Sequence, residues 1–172
     1  MPIAPAFKKV LQAVRPALDA SLDPVAIVDT SNRVVYANVS MKNFLRVTAQ
    51  QFKKSPVFCD LIHLNVCDKS CQIIHMIKTA ETLRLDETPA NRKDEKLRLL
   101  LKGVPLYDLS DINADASPIG AILTVRDTTG EVLLQAKYHK ILQLLTEKEG
   151  KITELLDRLS ALRGVLRRAR GA

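Results

Sequence analysis

Arg126-Asp127-Thr128-Thr129 closes the apolar run at residues 119–125 and leads directly into a long amphipathic segment. From Leu134 the apolar residues recur in alternating steps of four and three. This places Leu134, Ile141, Leu155 and Leu162 in one column and Tyr138, Leu145, Ile152, Leu159 and Leu166 in the other. These are the d and a positions of a heptad. Lys148 takes a d position, with Glu149 and Gly150 beside it, and a polar residue there lowers stability and fixes register. The helix could bury this seam by folding back on its own domain or by pairing with a second copy. More than four heptads exceed what a small domain needs to cover one face, which points to a homodimeric coiled coil.

Working outward, the chain has 172 residues, 47% of them hydrophobic, enough for one core of about 110 residues with helical extensions at both ends. No apolar run approaches the roughly 20 residues that span a bilayer, and no signal-type stretch follows Lys8 and Lys9. A soluble, cytoplasmic protein is expected. The absence of tryptophan and an aromatic content of 4% weaken any case for base stacking on single-stranded nucleic acid. Residues 23–136 carry 14 basic and 14 acidic side chains, whereas residues 137–172 carry nine basic and four acidic. Arg163, Arg167, Arg168 and Arg170 therefore offer a site for phosphate, an acidic partner or a membrane surface. They equally suit the negative end of a helix dipole.

At the other end, Phe7, Val10, Leu11, Val14 and Leu18 are at helical spacing, with Pro16 as a kink or break, so residues 1–21 read as an amphipathic arm. Residues 24–29, Pro-Val-Ala-Ile-Val-Asp, then Thr30-Ser31-Asn32-Arg33, then Val34-Val35-Tyr36-Ala37 read as strand, turn, strand. Asn38 is a candidate N-cap for a helix holding Met41, Phe44 and Leu45. Residues 48–82 lack strand alternation and read as short helices. Strands are expected at 82–89, at 96–104 and at 119–125, after a loop at 110–118. Two strands, a block of helices and three more strands make an α+β fold with a five-stranded antiparallel sheet rather than a βαβ alternation.

On Leu22-Asp23-Pro24-Val25-Ala26-Ile27-Val28-Asp29, on Val35-Tyr36-Ala37-Asn38 and on the closing Asp127-Thr128-Thr129, the chain resembles a bacterial PAS domain over about residues 17–129. The resemblance implies a PAS domain at 22–129 between the N-terminal arm and a coiled-coil helix at 130–172. It also implies that Asp127 and Thr129, at the places of the family's Asp-x-Thr motif, couple the sheet to a signalling helix. PAS domains generally precede an effector, and about 43 residues follow Thr129. These contain no kinase histidine box, phosphate-binding glycine loop or helix-turn-helix, so a downstream protein partner is expected to carry the output.

The remaining chemistry lies in Cys59-x3-His63-x3-Cys67-x3-Cys71-x3-His75, with every soft ligand four residues from the next. If Cys67, Cys71 and His75 share a helix they stand one turn apart and converge. A zinc or iron–sulfur centre would use the three thiolates and a histidine, although no Cys-x-x-Cys pair is present. A thiol switch between Cys67 and Cys71 is a second reading. Haem held by His75 is a third, implied by haem-binding relatives. The fourth takes the cysteines as small core residues with no cofactor, and it is preferred. Flavin is disfavoured, because Phe58-Cys59-Asp60-Leu61-Ile62 lacks the Asn-Cys-Arg-Phe-Leu-Gln signature of the light-sensing branch. Asp108, Asp111 and Asp115 read as a solvated loop, and no nucleophile motif points to an enzyme. The expected function is a non-catalytic sensory module that passes a ligand, redox or partner signal to its helix. The alternative is a structural adaptor without a ligand.

Overall fold

The computed structural model describes residues 5–67, 70–92, 95–108 and 116–170, with side chains from Phe7 to Val165 apart from Ala49. The chain divides into two units, one ending at Thr129 and the other beginning at Gly130. Asp111 and Asp115, and the side chains of Leu166, Arg167, Arg168 and Arg170, lie outside the described residues.

In the first unit, helix α1 (Pro5–Ala20) precedes strands β1 (Val25–Asp29) and β2 (Val34–Ala37). Helices α2 (Val39–Leu45), α3 (Ala49–Lys53) and α4 (Phe58–Leu61), strand β3 (His63–Leu64), a 3-10 turn (Asn65–Cys67) and helix α5 (Gln72–Thr79) follow. Strands β4 (Leu83–Arg92), β5 (Glu95–Leu106) and β6 (Gly120–Asp127) complete it. The sheet is antiparallel in the order β2-β1-β6-β5-β4-β3. It has six strands where the sequence indicates five. The sixth, β3, is two residues long and is a strand only because His63 and Leu64 pair with Asn91 and Ala90.

Period-two burial assigns the faces. Leu97, Leu99 and Leu101 of β5 and Ala121, Leu123 and Val125 of β6 are buried with Met41, Leu45, Phe58, Ile62, Ile73, Met76 and Ile77 from the helices. Fully burying a side chain of this size contributes about 1.5–3 kcal/mol. Gly103 lets α5 come close: a Cβ there would meet Met76 Sδ at 2.6 Å. On β1, Ala26 and Val28 face this core while the alternate residues Val25 and Ile27, also buried, lie on the other face. There a Cβ on Gly120 would meet the Phe7 ring at 2.9 Å and the Val28 carbonyl oxygen at 2.0 Å.

Helix α1 runs through Pro16 instead of breaking. Its buried anchors, Phe7 and Val10, precede the proline, and the carbonyl four residues before the proline, which it cannot bond, belongs to the exposed Gln12. Strand β4 carries an irregularity between Leu85 and Thr88, with Glu87 at φ 49°, followed by Pro89 within the strand. Near its end Arg92 donates to the Phe44 carbonyl and, at 2.5 Å, to Glu95 Oε2, with its guanidinium 4.9 Å from the Phe44 ring centroid. This pins α2 to the β4–β5 pair.

The second unit is helical. Helix α6 (Thr129–Arg170) has 42 residues and is therefore about 63 Å long. Leu134, Tyr138, Ile141, Leu145, Ile152, Leu155, Leu159 and Leu162 each have more than half of their surface exposed. Among the described residues, no helix is long and apolar enough to cross a membrane.

Candidate functional site

The β1–β2 turn begins the site. Asp29 Oδ1 accepts from the backbone N–H groups of Ser31 and Arg33, both at 2.9 Å, and Asn32 takes the left-handed conformation at φ 59°. Asparagine tolerates that region better than most residues. The Asn32 carbonyl accepts from Phe58 N at 2.8 Å, which ties the turn to the start of α4. The Asn32 side chain is thereby aimed inward, and only 1% of the residue is exposed.

Three sulfurs surround it. Cys59 lies in α4, Cys67 ends the 3-10 turn and Cys71 precedes α5 in an extended conformation. The three Sγ atoms all lie within 4.8 Å of one another, and Cys59 and Cys71 are 3.8 Å apart. Asn32 Nδ2 donates to Cys59 Sγ at 3.1 Å and to Cys71 Sγ at 3.5 Å. Asn32 Oδ1 is buried without a hydrogen-bond partner.

The thiols perturb one another's ionisation. Hydrogen bonds from Cys59 and Cys67, then the amides of Ile74 and Ile73 at the start of α5, hold Cys71 well below the usual thiol range. Contacts with Cys67 and Cys71, then burial, push the Cys59 thiol up. Three thiols this close, one favoured as thiolate by its neighbours' hydrogen bonds, suit metal ligation or thiol chemistry.

The histidines are placed differently. Cys67, Cys71 and His75 do not share a helix: only His75 lies within α5, on its exposed side, while Ile73, Met76 and Ile77 of that helix point into the core. His63, in β3, is exposed. Neither belongs to the group of mutually close ligands, so the four-residue spacing gathers the cysteines without them. Asn32 was not legible as a site residue. Its sequence signal is that of a turn, and its meeting with the thiols depends on a segment about 30 residues away.

The second candidate feature is the end of β6. Thr128 N donates to the Arg98 carbonyl at 2.8 Å, and Thr128 Oγ1 donates to the same oxygen at 3.1 Å. Arg98 N donates to Thr129 Oγ1 at 2.8 Å, and Thr129 N donates to Asp127 Oδ1 at 2.9 Å. Both threonines are thus held on one residue of β5 at the point where helical backbone begins.

This fold recurs in solved structures. The PAS domain of the fruit-fly ELK potassium channel matches with a TM-score of 0.54 at 14% identity, covering 69% of this chain and 97% of that one. The PAS domain of a protein from Colwellia psychrerythraea matches at 0.53 and 16%, covering 70% and 98%. The fold is that of a PAS domain. A domain of a sensory box sensor histidine kinase/response regulator from Geobacter sulfurreducens shares this PAS fold at 0.51 and 15%, covering 70% and 96%. No protein-family model matches the sequence, and no curated protein is similar to it. At these identities the likeness is one of fold, and the cysteine cluster and the helix beyond the PAS fold are read from this chain's own residues.

Proposed function

We propose that the chain is a non-catalytic sensory module that pairs through α6 and passes a change in its PAS unit to that helix across Asp127 and Thr129. One observation carries this reading: the junction anchored on Arg98 continues into a 42-residue helix whose heptad seam is exposed from Leu134 to Leu162. Such a seam is stable in water only when another apolar surface covers it, and its two-column pattern fits a second copy of the same helix. Coiled coils have alternative packings of similar energy, so a small change at the root can select between them. The full chain is expected to sediment as a dimer. Leu145→Glu combined with Ile152→Glu is expected to give a monomer with an unchanged circular dichroism signature of its strands. A variant that remains dimeric would remove the helix from its assigned role.

A second reading, a structural adaptor, is favoured by the way Phe58, Ile62, Met76 and Leu99 fill the space between sheet and helices. Native mass spectrometry distinguishes the two: an adaptor carries no small molecule in any preparation, and a ligand-sensing module retains one.

A further inference from the structure

We propose that Cys59, Cys67 and Cys71 form a three-thiolate site for a single thiophilic cation of the zinc class, with Asn32 as its hydrogen-bonding partner. The assignment is independent of the signalling reading.

The distances select the ligand. With zinc–sulfur bonds of about 2.3 Å, two thiolates at the tetrahedral angle on one ion stand about 3.8 Å apart. Cys59 and Cys71 are 3.8 Å apart, and the third sulfur lies within 4.8 Å of both. Closing the group on an ion requires shifts of an ångström or less, mainly at Cys67. A [4Fe–4S] cluster, in which each cysteine holds a different iron, sets its sulfurs further apart, and a [2Fe–2S] cluster divides its four ligands two and two between its irons, so three mutually close sulfurs suit a single ion better than either. A disulfide would use two of the thiols and leave the third, together with the donors aimed at them, without a role.

The surroundings agree with this choice. The three sulfurs come from three separate backbone segments, and all are partly covered by the core. Asn32 donates to two of them, as outer-shell groups do when they orient metal-bound thiolates and temper their charge. Its orphaned Oδ1 lies in the same buried place. Exchange of the two ends of this amide would put the oxygen where Nδ2 now stands, 3.1 Å and 3.5 Å from two sulfurs. An oxygen on a shared ion would occupy that position, so the asparagine can serve as donor or as fourth ligand. Binding displaces whatever thiol protons the three cysteines carry, and these leave to solvent as the sulfurs bind the cation.

The test titrates the reduced full chain with zinc alone, against a chromophoric chelator. The expected result is one zinc per chain, with Cys59→Ser, Cys67→Ser and Cys71→Ser each weakening binding by at least about 100-fold and Asn32→Ala by about 10- to 100-fold. Cobalt in place of zinc should give sulfur-to-cobalt charge-transfer absorption in the unaltered chain. That absorption should move in energy in Asn32→Ala, a change that a merely structural role for the asparagine would not produce. Because a serine variant can fail to fold, the unaltered chain provides a second reading: zinc should protect all three cysteines from alkylation by iodoacetamide. Zinc affinity equal to that of the triple serine variant, unprotected thiols, or more than one metal per chain on iron-and-sulfide reconstitution would each overturn the assignment.

Discussion

Asn38 joins five backbone groups with one side chain. Its Oδ1 accepts from Met41 N at 2.8 Å, capping α2, and from Val25 N at 3.1 Å. Its Nδ2 donates to the carbonyls of Asp23 at 2.8 Å, Leu18 at 3.1 Å and Ser21 at 3.3 Å. Asn38→Ala removes the cap and leaves buried backbone groups without partners, which should destabilise the unit by about 2–4 kcal/mol, measured by urea unfolding. Tyr36 gives a pH signature. Burial first, then its 2.5 Å hydrogen bond to Asp19, pushes the Tyr36 phenol up to about 12. A raised phenol favours the folded state below its ordinary value near 10, and that contribution is lost as the pH rises from about 10 to 12. The stability difference between the unaltered chain and Tyr36→Phe should therefore be constant from neutral pH up to this window and shrink within it, as followed by unfolding at each pH. Of these residues, Asn38 was legible as a cap because an asparagine before a helical run has a local meaning. Its other four partners, in α1, in β1 and in the segment between, were not, since they meet it only through the folded β1–β2 pair. The cysteines show the same limit: regular spacing announced a group, yet Cys67 in a 3-10 turn and Cys71 before α5 converge with Cys59 by tertiary packing.

Among the elements, α6 follows its sequence most directly, because a heptad is a property of one continuous segment. Lys148 is exposed at a d position, and two residues on is Gly150, where an added Cβ would meet nothing within 4 Å. Each weakens the middle of the helix, glycine by about 1 kcal/mol relative to alanine. Lys148→Leu combined with Gly150→Ala should raise the helical signal and tighten dimerisation by at least about tenfold in sedimentation equilibrium, since both changes remove a local cost. The hairpin of β1 and β2 was equally readable, with β-branched runs flanking a polar turn. Strand β3 was not: two residues have no period, and they extend along the sheet because β4 offers them partners. At Pro16 the expected break does not occur, and helix α1 continues past it to Ala20.

For the whole molecule, the order of strands and helices was enough to separate this α+β arrangement from an alternating one, and the structure adds a strand without changing that order. The division of charge was visible in composition alone: the neutral span at 23–136 against the basic excess beyond it. These two properties predict different salt responses. Pairing through an apolar seam should change by less than about tenfold between low and 1 M salt, whereas any phosphate binding by Arg163 and its neighbours should fall steeply, because counterions screen only the second. Sedimentation and phosphate titration across that range separate them.

Strand β4 has a further consequence, for solubility. Strand β3 covers it only at Ala90 and Asn91, so its preceding residues lie along an edge where a neighbouring chain would seek to pair. That edge carries the irregularity at Glu87, the exposed charges of Arg84 and Asp86, and Pro89, which has no N–H to offer. Such features deter strand-by-strand stacking into amyloid. The apolar surface along α6 is of another kind, since its backbone groups are already bonded within the helix. Pairing of the kind proposed for α6 would be reversible on dilution, whereas edge-to-edge strand pairing would not.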